Sequence, residues 1–315
     1  MRLLWVALLA AVVGTVGCGH AAEPQPFGPC EMARPQLGGS PRPLRALDWL
    51  HLLVVADMRE GGLFAQTLCT GERIEPAPLP ADCEVRSLDP GVPEPVPLTE
   101  ASVVETMLPD NQRLVWIVTH HFPNGDGFGP VASIVLSQDA VYVGAVGMLR
   151  LRPARVDLKL WQVGKGYVLM AAGESCEDTQ KAATCRRASN LMVLDNRRYH
   201  ASPIRRTGTN ECIDVPWIEH KREADLTLDN GWNRHIRTIA SLDHDERYVV
   251  VTEQVDIEDT DPAHPDTPAR DVRRIDGERF IHVEGTGFYT RQTPLWSRVI
   301  PNAGATTLSA QDLQR

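Results

Sequence analysis

Between Asp256 and Asp266 the chain gathers five carboxylates, Asp256, Glu258, Asp259, Asp261 and Asp266, with His264 among them. Oxygen donors at this density suit a hard cation such as Ca²⁺, which takes about six to eight oxygen ligands. The spacing therefore sets up Asp256, Glu258, Asp259 and Asp261 as a metal set and the chain as a calcium-stabilised structural module. Pro262, Pro265 and Pro268 favour a mobile, solvated loop over weak cation binding for the same stretch. A second group lies upstream, where His120 and His121 precede Asn124-Gly125-Asp126-Gly127-Phe128-Gly129. Neighbouring strand residues point to opposite faces, so the two histidines are not set to chelate one ion. The glycine-rich loop carries one carboxylate and no closing Glu, which fits a tight turn better than a calcium loop.

One His working with Asp126, and with Glu253 from elsewhere, would make an exported hydrolase with a scattered His/Asp/Glu site. Glu253 shares its strand face with Val249, Val251, Val255 and Ile257. A carboxylate buried there needs a partner, and Arg237 or Arg273 on a neighbouring strand would serve. G-x-S-x-G, H-E-x-x-H, Walker and Rossmann glycine patterns do not occur in the sequence. No catalytic residue is nominated on motif grounds.

Arg2 is followed by 14 uncharged residues, Leu3 to Val16. As helix this covers about 21 Å, short of the roughly 20 residues that cross a hydrocarbon core. A charged start, a short apolar run and a small residue describe a signal peptide. Thr15-Val16-Gly17-Cys18 resembles the lipobox of bacterial lipoprotein precursors, with Thr15 where Leu is usual. The resemblance implies removal of residues 1–17, a diacylglyceryl group on the Cys18 thiol and acylation of the new amine. Gly19, in place of the Asp that retains some lipoproteins in the inner membrane, implies an outer-membrane destination, on the periplasmic or the surface side. The alternative is an ordinary secretory cut at Gly19-His20-Ala21, which discards Cys18 and leaves a secreted or periplasmic soluble protein. One acyl chain anchors only marginally, whereas three hold a domain to a leaflet.

Seven cysteines are present: Cys18, Cys30, Cys69, Cys83, Cys176, Cys185 and Cys212. Either export route removes Cys18 from the count and leaves an even set, which an oxidising compartment pairs as disulfides. Local closure favours Cys176–Cys185 and Cys69–Cys83, which leaves Cys30–Cys212. No two cysteines are spaced as C-x₂-C, so zinc-knuckle and thioredoxin-like readings lack support.

The 315 residues carry a net charge of −9, which argues against a nucleic-acid partner. A hydrophobic share of 43% supports a packed core, and 24 Gly with 24 Pro favour many turns. Prolines 24, 26, 29, 35, 41 and 43 make residues 18–45 a tether behind the lipidated cysteine. A body follows over 46–315, with a Pro-rich loop from Glu75 to Pro97 and a subdivision near 98. His51–Ala56 and Leu63–Leu68 read as a hairpin, and Thr99–Met107 as a short helix capped by Thr99.

From Arg113 onward the strands succeed one another. Residues 155–160 alternate, with Val156, Leu158 and Leu160 opposite Arg155, Asp157 and Lys159. The expectation is an all-β fold of antiparallel sheets with Pro-rich loops: a sandwich, a partly closed barrel or a small propeller. The function expected is that of an envelope-anchored lipoprotein with a non-catalytic binding or structural role. Its partners would be the membrane, through Cys18, and an envelope protein or small ligand. Trp217, Trp232 and Trp296 would mark the binding face if they formed one exposed patch.

Overall fold

The computed structural model describes residues 30–37, 40–76, 83, 91–177, 184–264, 266–267 and 271–300. Cys18 and the signal-like segment lie outside the described residues. The fold is all-β.

The N-terminal part comprises β1 (Glu31–Ala33), β2 (Gln36–Leu37), β3 (Ser40–Pro41), α1 (Ala46–Leu53), β4 (Val54–Arg59) and β5 (Gly62–Leu68). A first large sheet draws on β6 (Glu94–Pro95), β7 (Val103–Met107), β8 (Gln112–Ile117), β9 (His120–His121), β10 (Gly127–Leu136), β11 (Ala140–Leu151), β12 (Ala154–Val163), β13 (Gly166–Glu177), β14 (Thr184–Asp195) and β15 (Arg198–His200). Two short strands come next, β16 (Ile204–Arg206) and β17 (Cys212–Asp214), followed by β18 (Trp217–Glu219). The chain ends through β19 (Lys221–Thr227), β20 (Asn233–His244), β21 (Val249–Thr260), β22 (Asp271–Glu284), β23 (Gly287–Thr290) and α2 (Leu295–Val299).

The first sheet runs β12-β13-β14-β15-β11-β10-β8-β7, with β1, β6, β9 and β18 attached. It curls until β12 comes back against β7. The second sheet runs β17-β16-β23-β22-β21-β20-β19. Of the expected all-β architectures, the molecule combines a partly closed curl with a sandwich-like second layer.

Four apolar clusters explain the stacking. Inside the curl, Leu114, Trp116, Leu149, Leu158, Leu169, Met192 and Trp217 meet. On the opposite face of β13 and β14, Val168, Met170, Leu191 and Val193 pack against Val249, Val251 and Ile281 of the second sheet. These strands therefore bury both faces, which is why Val168–Ala172 reads as a continuous apolar run. The outer face of β8, β10 and β11 is covered by Trp49, Leu50, Leu52 and Leu53 of α1 and by Leu68. The far end of the second sheet is covered by Leu295 and Val299 of α2.

Several local expectations are corrected. Residues from Cys30 belong to the body rather than to a tether reaching 45, because β1 pairs with β11 and Cys30 is buried. His51 falls in α1, whose start is fixed by Arg45 N–H donating to Asp48 Oδ2 at 2.8 Å. Thr99 begins one 3₁₀ turn, Glu100–Ser102, and the β-branched pair Val103-Val104 then enters β7 instead of a helix. The boundary near 98 separates no independent core, since α1 and the first sheet share one cluster.

The disulfides also differ from the local-closure set. Cys30 joins Cys69, and Cys83 joins Cys212. Sequence proximity fails as a guide to these pairs because β1 and the end of β5 converge on one side of the curled sheet, while Cys83 meets β17 of the second sheet. The β13–β14 register sets Cys176 opposite Cys185; their side chains lie outside the described residues. Non-reducing peptide mapping should recover the Cys30–Cys69 and Cys83–Cys212 peptides, and a Cys176–Cys185 peptide if the register pair is bridged. Replacing Cys83 and Cys212 by Ser should lower unfolding stability by about 2–5 kcal/mol in denaturant titration.

Candidate functional site

A cluster of paired charges lies on the curled sheet, where two apolar clusters meet. The loop before β10 closes on itself: Phe122 N–H donates to Asp126 O, and Gly125 N–H to Phe122 O, both at 2.8 Å. Gly125 sits at φ +82°, a conformation that favours glycine. Asn124 Oδ1 accepts from Asp126 N–H at 3.1 Å and Asn124 Nδ2 donates to Asp126 Oδ2 at 3.1 Å. The Asp126 carboxylate is thereby aimed inward and is 2% exposed.

Two guanidiniums meet that carboxylate. Arg150 Nε donates to Asp126 Oδ2 at 2.9 Å, and Arg152 Nε lies 3.9 Å from Oδ1. Arg150 stacks over the Phe122 ring at 3.7 Å, and Arg152 lies 5.7 Å from the Trp217 ring centre. Arg152 Nη2 also donates to Glu219 Oε1 at 3.2 Å, and Glu219 Oε2 holds Arg222 at 3.2 Å. Gly173 makes room for this arrangement, since a Cβ there would lie 2.0 Å from Arg152 O. Asn190 Nδ2 donates to Arg150 O at 3.1 Å. Arg152 Nη1 and Asn190 Oδ1, a donor and an acceptor, are buried without a hydrogen-bond partner among the described residues. The arrangement is an electrostatic lock between strand ends. The sequence signal for it was Arg150-Leu151-Arg152, where charge alternates with Leu at the end of an apolar run.

The other nominated residues are dispersed. His120 Nδ1 meets Thr119 Oγ1 at 2.8 Å, and burial pushes its pKa below the ordinary value. His121 is exposed. Glu253 is buried as expected, but its partners are not Arg237 or Arg273. Its Oε2 accepts from Leu295 N–H at 3.0 Å, and its Oε1 lies 3.8 Å from Arg279, which donates to Asp214 at 2.9 Å. None of His120, His121, Asp126 and Glu253 bonds to another of the four.

The acidic stretch is mostly strand rather than loop. β21 runs through Thr260, so Asp256 and Glu258 occupy one face and Asp259 the other. Asp256 accepts from Arg274 at 2.9 Å, Arg237 at 3.0 Å and Gln254 at 3.2 Å. The hydrogen bond from Arg274, then those from Arg237 and Gln254, hold its carboxyl below the usual range against the opposing effect of burial. Asp259 is gripped by buried Arg234 through two bonds of 2.6 Å. Asp261 opens a turn, accepting from Ala263 N–H at 2.9 Å and contacting His264 Nδ1 at 3.0 Å. Among the described residues no group of three or more His, Cys, Asp or Glu is arranged to hold a metal ion. Strand alternation divides the proposed calcium set between two faces, and arginines hold Asp256 and Asp259.

Trp217 is buried inside the curl, Trp296 packs with the α2 cluster and Trp232 lies in the β19–β20 connection. They do not form one patch. One contact escaped sequence reasoning: Ser189 Oγ lies 2.8 Å from His220 Nε2. A nucleophile–base pair has this geometry. Yet Ser189 is 1% exposed, and β14 gives its backbone bonds to β13 on one side and β18 on the other. No family model, curated protein or solved structure matches the chain.

Asp126→Asn should destabilise the fold by about 3–5 kcal/mol in chemical denaturation, because it leaves two largely buried guanidiniums short of a counter-charge. Gly173→Ala should cost about 1–3 kcal/mol through the clash with Arg152 O.

Proposed function

We propose that this is an envelope lipoprotein, anchored through lipid on Cys18 after loss of residues 1–17, with a non-catalytic binding or structural role. The observation that carries the reading is the pair of disulfides, Cys30–Cys69 and Cys83–Cys212, which join segments 39 and 129 residues apart. Such bridges persist in oxidising compartments and are rare in the cytosol. They agree with the charged-then-apolar start and the lipobox-like Thr15-Val16-Gly17-Cys18. Among the described residues no helix is long and apolar enough to cross a membrane, so attachment in this reading comes from acyl chains. The outer membrane is the destination in this reading. The partner is an envelope protein or small ligand met by a rigid β body whose nominated carboxylates are largely taken up in ion pairs.

Intact-mass analysis of the mature protein tests this. The expected mass lacks residues 1–17 and includes acyl chains. Cys18→Ser should abolish palmitate incorporation and shift the protein from the membrane to the soluble fraction. Full-length chain in the cell interior with every thiol titratable would overturn the reading.

A further inference from the structure

His220 is the single residue between β18 of the curled sheet and β19 of the second sheet. Its N–H donates to Arg187 O on β14, and its C=O accepts from Ala240 N–H on β20, each at 2.9 Å. One residue's peptide groups thus hold both sheets. Its ring is held by Ser189 Oγ, on the β14 face turned toward the second sheet. Arg187 of β14 and Glu174 of β13 supply the charges that act on the ring. Glu174 is itself engaged by Arg155 at 3.2 Å, and β20 brings Ala240. The flanking charges are occupied elsewhere, Glu219 with Arg152 and Arg222, and Lys221 with Glu223.

We propose that His220 is an acid-responsive joint: protonation of its imidazole beside Arg187 loosens the β18–β19 crossover and lets the β19–β20 edge part from the curled sheet. Burial, and then Arg187, push the ring's pKa from 6.5 down to about 4, with Glu174 acting the other way. The closed form therefore resists the proton, whereas an opened form exposes the ring to water and takes it up near the ordinary value. Stability from the neutral ring is complete above pH 6.5 and is lost as pH falls toward 4. This window lies above the range in which Asp256 titrates, because its pKa is lowered.

Hydrogen exchange of the full chain, corrected for intrinsic rates, tests the joint. Between pH 6.5 and 4.5, protection of the His220 and Ala240 amides should fall about tenfold more than that of β10 and β11 amides. His220→Gln stays neutral and keeps a hydrogen-bonding group for Ser189, so it should remove the extra loss. Arg187→Gln should shrink it by letting the closed form accept the proton more readily. Should His220→Gln not fold, the wild type and Arg187→Gln decide the matter. Equal loss in all proteins, or no extra loss in the wild type, would overturn the proposal.

Discussion

The structure depends on the burial of both faces of β13 and β14. Leu169 and Met192 fill the curl, while Val168, Met170, Leu191 and Val193 meet the second sheet. A strand covered on one side tolerates polar residues at alternate positions, but a strand between two cores does not. Each large side chain fully buried there contributes roughly 1.5–3 kcal/mol. A one-residue slip would exchange the side chains that serve the two cores. The curl and the second layer are therefore mutually specified by the same strands.

Charge is distributed around this centre as satisfied pairs rather than as open sites. Arg234 with Asp259, Arg279 with Asp214 and Glu253, and Arg150 and Arg152 with Asp126 and Glu219 all lie at or beneath the surface of the sheets. Such pairs add little net stability compared with apolar packing, but a mispaired register would strand a buried charge. On the outer face of the second sheet, Glu223, Arg237, Asp256 and Arg274 stand opposite one another on successive strands. This row of alternating sign supports the same register from the solvent side.

Much of the strand content was legible because it rests on local patterning. The alternation from Val156 to Leu160 and the apolar run from Tyr167 to Ala172 both correspond to observed strands. For residues 51–53 local pattern does not decide, because Leu-Leu-Val-Val favours both states, and packing of Trp49 and Leu53 onto the first sheet selects helix. The partners of Cys30, Cys69, Cys83 and Cys212 and the acidic stretch depart from local expectation for a shared reason. Proximity along the chain is not proximity in space: the topology carries Cys83 to Cys212 and gives Asp256 to arginines on both neighbouring strands. Glu253 was legible as a buried carboxylate from the four aliphatic residues on its face. Arg279 was not, because its diagonal contact with Glu253 is set by the register of β21 against β22, which leaves no periodic trace along the chain.

The Cys83–Cys212 bridge encloses β6 to β16 within a single covalent ring. As the chain is synthesised, its second thiol emerges only after every strand of that ring, whereas both thiols of the Cys30–Cys69 bridge emerge before β6. Oxidation is therefore ordered by the direction of chain emergence. The N-terminal clasp is available first, and the great ring closes around strands that have already had the opportunity to assemble.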